Sequence, residues 1–148
     1  MKKRGFGFKD AFGGIIHAML CERNFRVQIV AVLTVVYFGV VFGVSKTEWA
    51  VLSLVMGAVM AAELVNTAVE AVVDKVSPEK CSLARIAKDC AAGAVLVLAV
   101  TSVVVAGFVF SDTDGWVRVW EYIKEKYLYL IIFAVLSVIF VFAKEKKR

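Results

Sequence analysis

Residues 63–74, Glu-Leu-Val-Asn-Thr-Ala-Val-Glu-Ala-Val-Val-Asp, set three carboxylates and an amide into an apolar run that begins at Trp49. On a helix turning about 100° per residue, Glu63, Asn66, Glu70 and Asp74 fall within an arc of roughly 80°. They make one polar stripe about 16 Å long at ~1.5 Å rise per residue. An ionisable side chain at the centre of a membrane span costs roughly 2.5–3.5 kcal/mol on insertion scales, so a stripe of them marks a functional interior. A helix end emerging into water would explain Asp74 and Glu70, but not Glu63, three turns deeper.

The rest of the chain supplies the membrane that this argument needs. Of its 148 residues, 61% are hydrophobic, and the mean hydropathy is +0.80. Apolar stretches cover 27–44, 49–73 (broken only by the stripe), 90–110 and 127–143. At ~1.5 Å per residue these suit a hydrocarbon core of about 30 Å, the last being the shortest. The expected fold is all-α and integral to the membrane, with an N-terminal amphipathic surface helix, three core spans and a fourth C-terminal span. Residues 1–110 form the core (1–26 interfacial, 27–110 spanning). Residues 111–148 add an outer interfacial segment and the extra span.

Lysine and arginine fix the expected orientation. Fourteen lie before span one, between spans two and three, or after span four; Lys46, Arg118, Lys124 and Lys126 lie in the other loops. Basic residues concentrate on the cytoplasmic side of membrane proteins, so both termini and the 75–88 loop face the cytosol. The net charge of +5 reflects this segregation and not nucleic-acid binding. Trp49, Trp116, Trp120, Tyr127 and Tyr129 then form an aromatic belt at the outer boundary. Cys21, Cys81 and Cys90 lie toward the reducing side, which argues against disulfides.

Local signals complete the expected order of elements. Phe8, Phe12, Ile15, Ile16, Met19 and Leu20 repeat with helical spacing, as in a helix lying on the inner surface. In Glu22-Arg23-Asn24-Phe25-Arg26, the arginines read as a solvated hinge at anionic headgroups, while Glu22 is the odd member, because an acid gains nothing there. Gly39 and Gly43 form a G-x-x-x-G pair that permits close helix approach. Ser45 and Glu48 form a capping box that starts span two. Ser77-Pro78 reads as an N-cap followed by the first residue of the next helix. Trp116, Val119, Trp120 and Ile123 share one face of a short outer helix.

No G-x-x-x-x-G-K-[ST] loop and no protein-kinase signature occurs. Phosphoryl transfer needs positioning, a divalent cation on the phosphate oxygens and a group that deprotonates the attacking hydroxyl. Glu22 and Glu70 could hold Mg2+ together with nucleotide phosphates, since this ion usually takes one or two protein carboxylates. Glu63 lies where a lipid headgroup hydroxyl would sit and could act as general base, with Asn66 one turn away.

At these residues the chain resembles the prokaryotic diacylglycerol kinase and undecaprenol kinase family. The resemblance rests on Glu63-x-x-Asn66-x-Ala68-x-Glu70-x-x-x-Asp74, with Glu22-Arg23-Asn24-Phe25 upstream. Downstream it continues through Ala87-Lys88-Asp89-x-Ala91-Ala92-Gly93-Ala94-Val95, and it covers roughly residues 6–110. It implies a homotrimeric lipid kinase of the bacterial inner membrane that uses ATP and Mg2+ at the cytosolic face, with sites shared between subunits. It also implies Glu63 as catalytic base, Glu22 and Glu70 as metal ligands, and Asn66, Asp74, Lys88 and Asp89 around the nucleotide. The Glu-Arg-Asn-Phe segment is more similar to the undecaprenol branch, so undecaprenol is the expected substrate and diacylglycerol the alternative. Residues 111–148 depart from the family's three-span core. From the residues alone, a cation-coupled transporter using the stripe as a relay is the competing class, although no internal repeat supports it.

Overall fold

The computed structural model describes residues 7–77 and 81–143, and within them every regular element is a helix. In chain order these are α1 (Phe8–Cys21), α2 (Arg23–Phe42), α3 (Lys46–Val76), α4 (Ser82–Val109) and α5 (Thr113–Val141). Three of them, α2, α3 and α4, are long and apolar enough to cross a membrane. They carry the three core spans expected from the apolar runs, with an N-terminal helix ahead of them. Several basic residues behind the expected orientation (Lys2, Lys3, Arg4, Lys80, Lys144, Lys146, Lys147 and Arg148) lie outside the described residues.

Helix boundaries follow local chemistry. Glu22 is extended (φ −113°, ψ 116°) and is the single non-helical residue between α1 and α2. Gly43 ends α2 in the left-handed conformation (φ 86°), which a residue without Cβ adopts at little cost. The expected capping box is present: Ser45 Oγ accepts from the Glu48 main-chain N–H, and the Glu48 carboxylate accepts from the Ser45 N–H. The start of α4 differs from expectation. Ser77 closes α3, Cys81 is the residue before α4, and Pro78 lies outside the described residues.

Packing is concentrated in two helix pairs. α3 runs against α4, and α2 against α5; α2 also meets α3, and α1 touches α2 and α3. Gly39 belongs to the inside of this arrangement, because a Cβ there would come within 2.8 Å of the Trp49 ring. The G-x-x-x-G pair thus joins elements within one chain: Gly39 seats Trp49, and Gly43 forms the turn.

α5 holds the expected outer helix and the fourth hydrophobic segment as one element, broken by a non-helical Lys126 (φ −118°, ψ 22°). Its uncharged run, 127–141, covers about 22 Å at ~1.5 Å rise, short of a hydrocarbon core of about 30 Å. α5 is nonetheless fastened along the whole of α2. Near one end, Arg118 Nε and Nη2 donate to the Phe42 carbonyl at 3.0 and 2.6 Å. Midway, the Tyr37 and Tyr122 hydroxyls are 2.9 Å apart, and Tyr37 stacks on Phe133 with ring centroids 5.8 Å apart. At the other end, Arg26 of α2 donates to the carbonyls that finish α5.

Candidate active site

The polar stripe of α3 is graded in burial. Glu63 and Asn66 are 3% and 7% exposed, Glu70 is half-buried and Asp74 is open. One helical face therefore runs from a dry end at Glu63 to a wet end at Asp74. Removing a carboxylate and an amide from water is costly unless partners compensate, so the dry end has the geometry of a site and not of a surface.

The partners found there are incomplete. Asn66 Nδ2 donates to Glu70 Oε1 at 2.9 Å, one turn away. Asn66 Oδ1 is buried and accepts no hydrogen bond. A buried, unpaired acceptor is rare in a settled interior and calls for a ligand or an ordered water. α1 packs against α3, and the charges of Glu70 and, more weakly, Glu22 are felt at Glu63, so the α1–α2 junction lies on the side of the stripe. Glu63, Asn66 and Glu70 thus share one face of α3, with the Asn66–Glu70 contact formed, and Glu22 approaches that face from the α1–α2 junction.

The remaining expected residues line the wet end. Lys88 Nζ, from the second turn of α4, donates to Asp74 Oδ1. This pair ties the C-terminal end of α3 to the N-terminal end of α4 and sets a cation beside the stripe. Asp89 is exposed and joins neither group; no hydrogen bond or ion pair holds it among the described residues.

Among the described residues no three His, Cys, Asp or Glu side chains converge as a ready cage for an ion. That does not conflict with Mg2+, which keeps several waters and binds through one or two carboxylates plus phosphate oxygens. Glu70, held by the Asn66 amide whose own oxygen is unpaired, is a carboxylate of the kind that pattern requires.

Sequence reasoning missed Arg26. Its setting among Glu22, Arg23 and Asn24 reads as a solvated hinge, yet it is 3% exposed. Its acceptors include Val141 and Ala143, 115 and 117 residues away. A contact at that separation leaves no local pattern. The available signal is a second basic residue one turn into α2, where the helix turns apolar.

Comparison with known proteins agrees with this geometry. The family model described as prokaryotic diacylglycerol kinase matches residues 9–110. A diacylglycerol kinase of Synechocystis sp. is 42% identical over 101 residues, covering 68% of this chain and 58% of that protein. An undecaprenol kinase of Bacillus subtilis is 38% identical over 103 residues, covering 70% of this chain and 84% of the relative. A diacylglycerol kinase of Escherichia coli is 33% identical over 104 residues, covering 70% and 82%. The chain thus spans less than two thirds of the Synechocystis relative's length, but most of the other two. No solved structure matches. The match takes in all of α2, α3 and α4 together with Glu22 and the stripe, and the chain belongs to the prokaryotic diacylglycerol kinase family.

Proposed function

We propose that this protein phosphorylates undecaprenol at the cytosolic face of the bacterial inner membrane, with ATP as donor and Mg2+ as cofactor. The observation that carries the reading is the unpaired Asn66 Oδ1 in the buried stripe, on the helix face that carries Glu63 and Glu70. The family match and the length over which the Bacillus subtilis undecaprenol kinase aligns support the activity and the substrate. The Synechocystis relative is named a diacylglycerol kinase, which makes diacylglycerol the second substrate to test.

Each residue has a chemical task in this reading. Glu63 accepts the proton of the lipid hydroxyl as that oxygen bonds to the γ-phosphorus; the bond from γ-phosphorus to the bridging oxygen breaks, and ADP leaves. Glu22 and Glu70 would hold Mg2+, which when bound neutralises phosphate oxygens. Asn66 directs its free carbonyl toward that assembly through its bond to Glu70. Lys88 offers its ammonium to nucleotide phosphates, with Asp74 orienting it and Asp89 beside it at the mouth. The dry end of the stripe suits the lipid and the wet end the nucleotide, which accords with both termini and the basic α3–α4 connection in the cytosol.

The architecture fits a core of residues 1–110 with 111–148 appended. α5 pairs with α2 from end to end, which supports a fourth span reaching the same two faces as α2. A homotrimer with shared sites accords with the long bare face of α4, where only Val109 is buried.

Purified protein in detergent micelles, supplied with labelled ATP, Mg2+ and either lipid, tests the proposal. Transfer to undecaprenol and its loss in Glu63→Gln are expected. Transfer confined to diacylglycerol overturns the substrate; transfer to neither overturns the kinase reading.

A further inference from the structure

Arg26 is charged and buried, and a buried guanidinium persists where its donors are satisfied. Nη1 donates to the Met19 and Leu20 carbonyls, each at 3.3 Å. Nε donates to Val141 at 3.2 Å, and Nη2 to Ala143 at 3.2 Å. The first pair of carbonyls belongs to the last turn of α1, the second to the end of α5. Helix ends expose carbonyls without intrahelical donors and carry the negative pole of the helix dipole. Neither α1 nor α5 has a basic residue in its own last turn. One guanidinium fork from a third helix serves both ends.

Arg26 is also one turn from Glu22. Its main-chain N–H donates to the Glu22 carbonyl at 3.3 Å, and the Glu22 N–H donates to Ala18 at 2.8 Å. Glu22 therefore sits at a joint held on the α1 side by Ala18 and on the α2 side by Arg26. The backbone position from which its side chain leaves is set by the angle at which α1 and α2 meet. That angle is locked by a fork whose other prongs rest on α5.

We propose that α5, which lies beyond the family match, is a positioning element of the active site, and that Arg26 is the positioning residue through which it acts. The α5 terminus, gripped by Arg26, fixes the α1–α2 joint and so aims the Glu22 carboxylate at the stripe. The inference rests on the lipid-kinase reading for its catalytic consequence. Lysine cannot replace Arg26 here, because a single ammonium lacks the planar fork needed to serve carbonyls on two helices.

Two full-length variants test the coupling from opposite sides. Arg26→Lys keeps the charge and removes the fork. One alanine inserted between Ile131 and Ile132, both exposed, turns the end of α5 by about 100° and shifts it ~1.5 Å, carrying its carbonyls away. Amide hydrogen exchange across residues 20–26 gives a readout independent of activity, and the Mg2+ concentration at half-maximal rate gives the catalytic one. Both variants should speed that exchange and raise the Mg2+ requirement about tenfold, the range for residues that orient a metal ligand, while the lipid KM stays put. The insertion should add nothing in the Arg26→Lys background, since both break one connection. Should the insertion prevent folding, Arg118→Gln combined with Tyr122→Phe loosens α5 from α2 without touching the joint, and should move both readings the same way. An active wild type with unmoved exchange and Mg2+ dependence in the α5 variants would sink the proposal alone. A wild type without lipid phosphorylation would sink the kinase reading and the catalytic part of the proposal with it.

Discussion

Asn66 Nδ2 donates to Glu70 Oε1 at 2.9 Å, and the same amide leaves its oxygen buried and unpaired. One side chain thus orients a carboxylate on one side and presents an unsatisfied acceptor on the other.

An unpaired buried acceptor costs about 1–3 kcal/mol, and a typical intramolecular hydrogen bond returns about 1 kcal/mol. Asn66→Leu removes both. Its melting temperature in detergent is expected to match or exceed the wild type's, while phosphoryl transfer falls at least about tenfold, as expected when a residue that orients a metal ligand is lost. A large drop in stability with activity intact would show that the amide holds the fold together and plays no part in the site.

The Lys88–Asp74 pair is 36% and 57% exposed at its side chains, so solvent screens it and its worth to folding is under about 1 kcal/mol. Lys88→Ala should leave the melting temperature nearly unchanged and raise the KM for ATP. The charge-swapped double variant, Lys88→Asp with Asp74→Lys, restores an ion pair but puts the cation on the other helix. Full recovery of ATP affinity by the swap would assign the pair to holding α3 against α4 and not to the nucleotide.

Cys81 is exposed just before α4, where the main-chain N–H groups of Ala84 and Leu83 hold its thiol below the ordinary cysteine range. The thiolate is the reacting form. With Cys21 and Cys90 changed to serine, maleimide labelling should therefore reach its plateau at lower pH than for a free thiol. A membrane-impermeant maleimide should label inside-out vesicles and spare intact spheroplasts. Labelling of spheroplasts would invert the proposed orientation and leave ATP without access.

What could be read from the chain divides by how far a residue's partners lie along it. The spans, the Ser45–Glu48 cap and the helical register of Glu63, Asn66, Glu70 and Asp74 depend on neighbours within a few positions, and periodicity exposes them. The inward role of Gly39 depends on Trp49, ten residues beyond and on another helix. Arg26 depends on Val141 and Ala143, and nothing near it in sequence hints at α5. Ser77 has the side chain of a helix start, yet the backbone of α3 runs on to Val76 and claims it as an end. Glu22 was legible as an anomaly, though not as the joint of α1 and α2.

The one-sided support of α4 has a consequence for how this molecule lives in a bilayer. Among the described residues its backbone runs close to α3 alone, and Val109 is its one buried side chain. Yet this helix brings Lys88 to the stripe. In the proposed reading, the position of this cation depends on α3 and on whatever covers the rest of α4: annular lipid, or the flank of a sister molecule. Under the proposed lipid-kinase function, bilayer thickness and crowding in the membrane plane are expected to change turnover, so that one polypeptide works at different rates in different membranes.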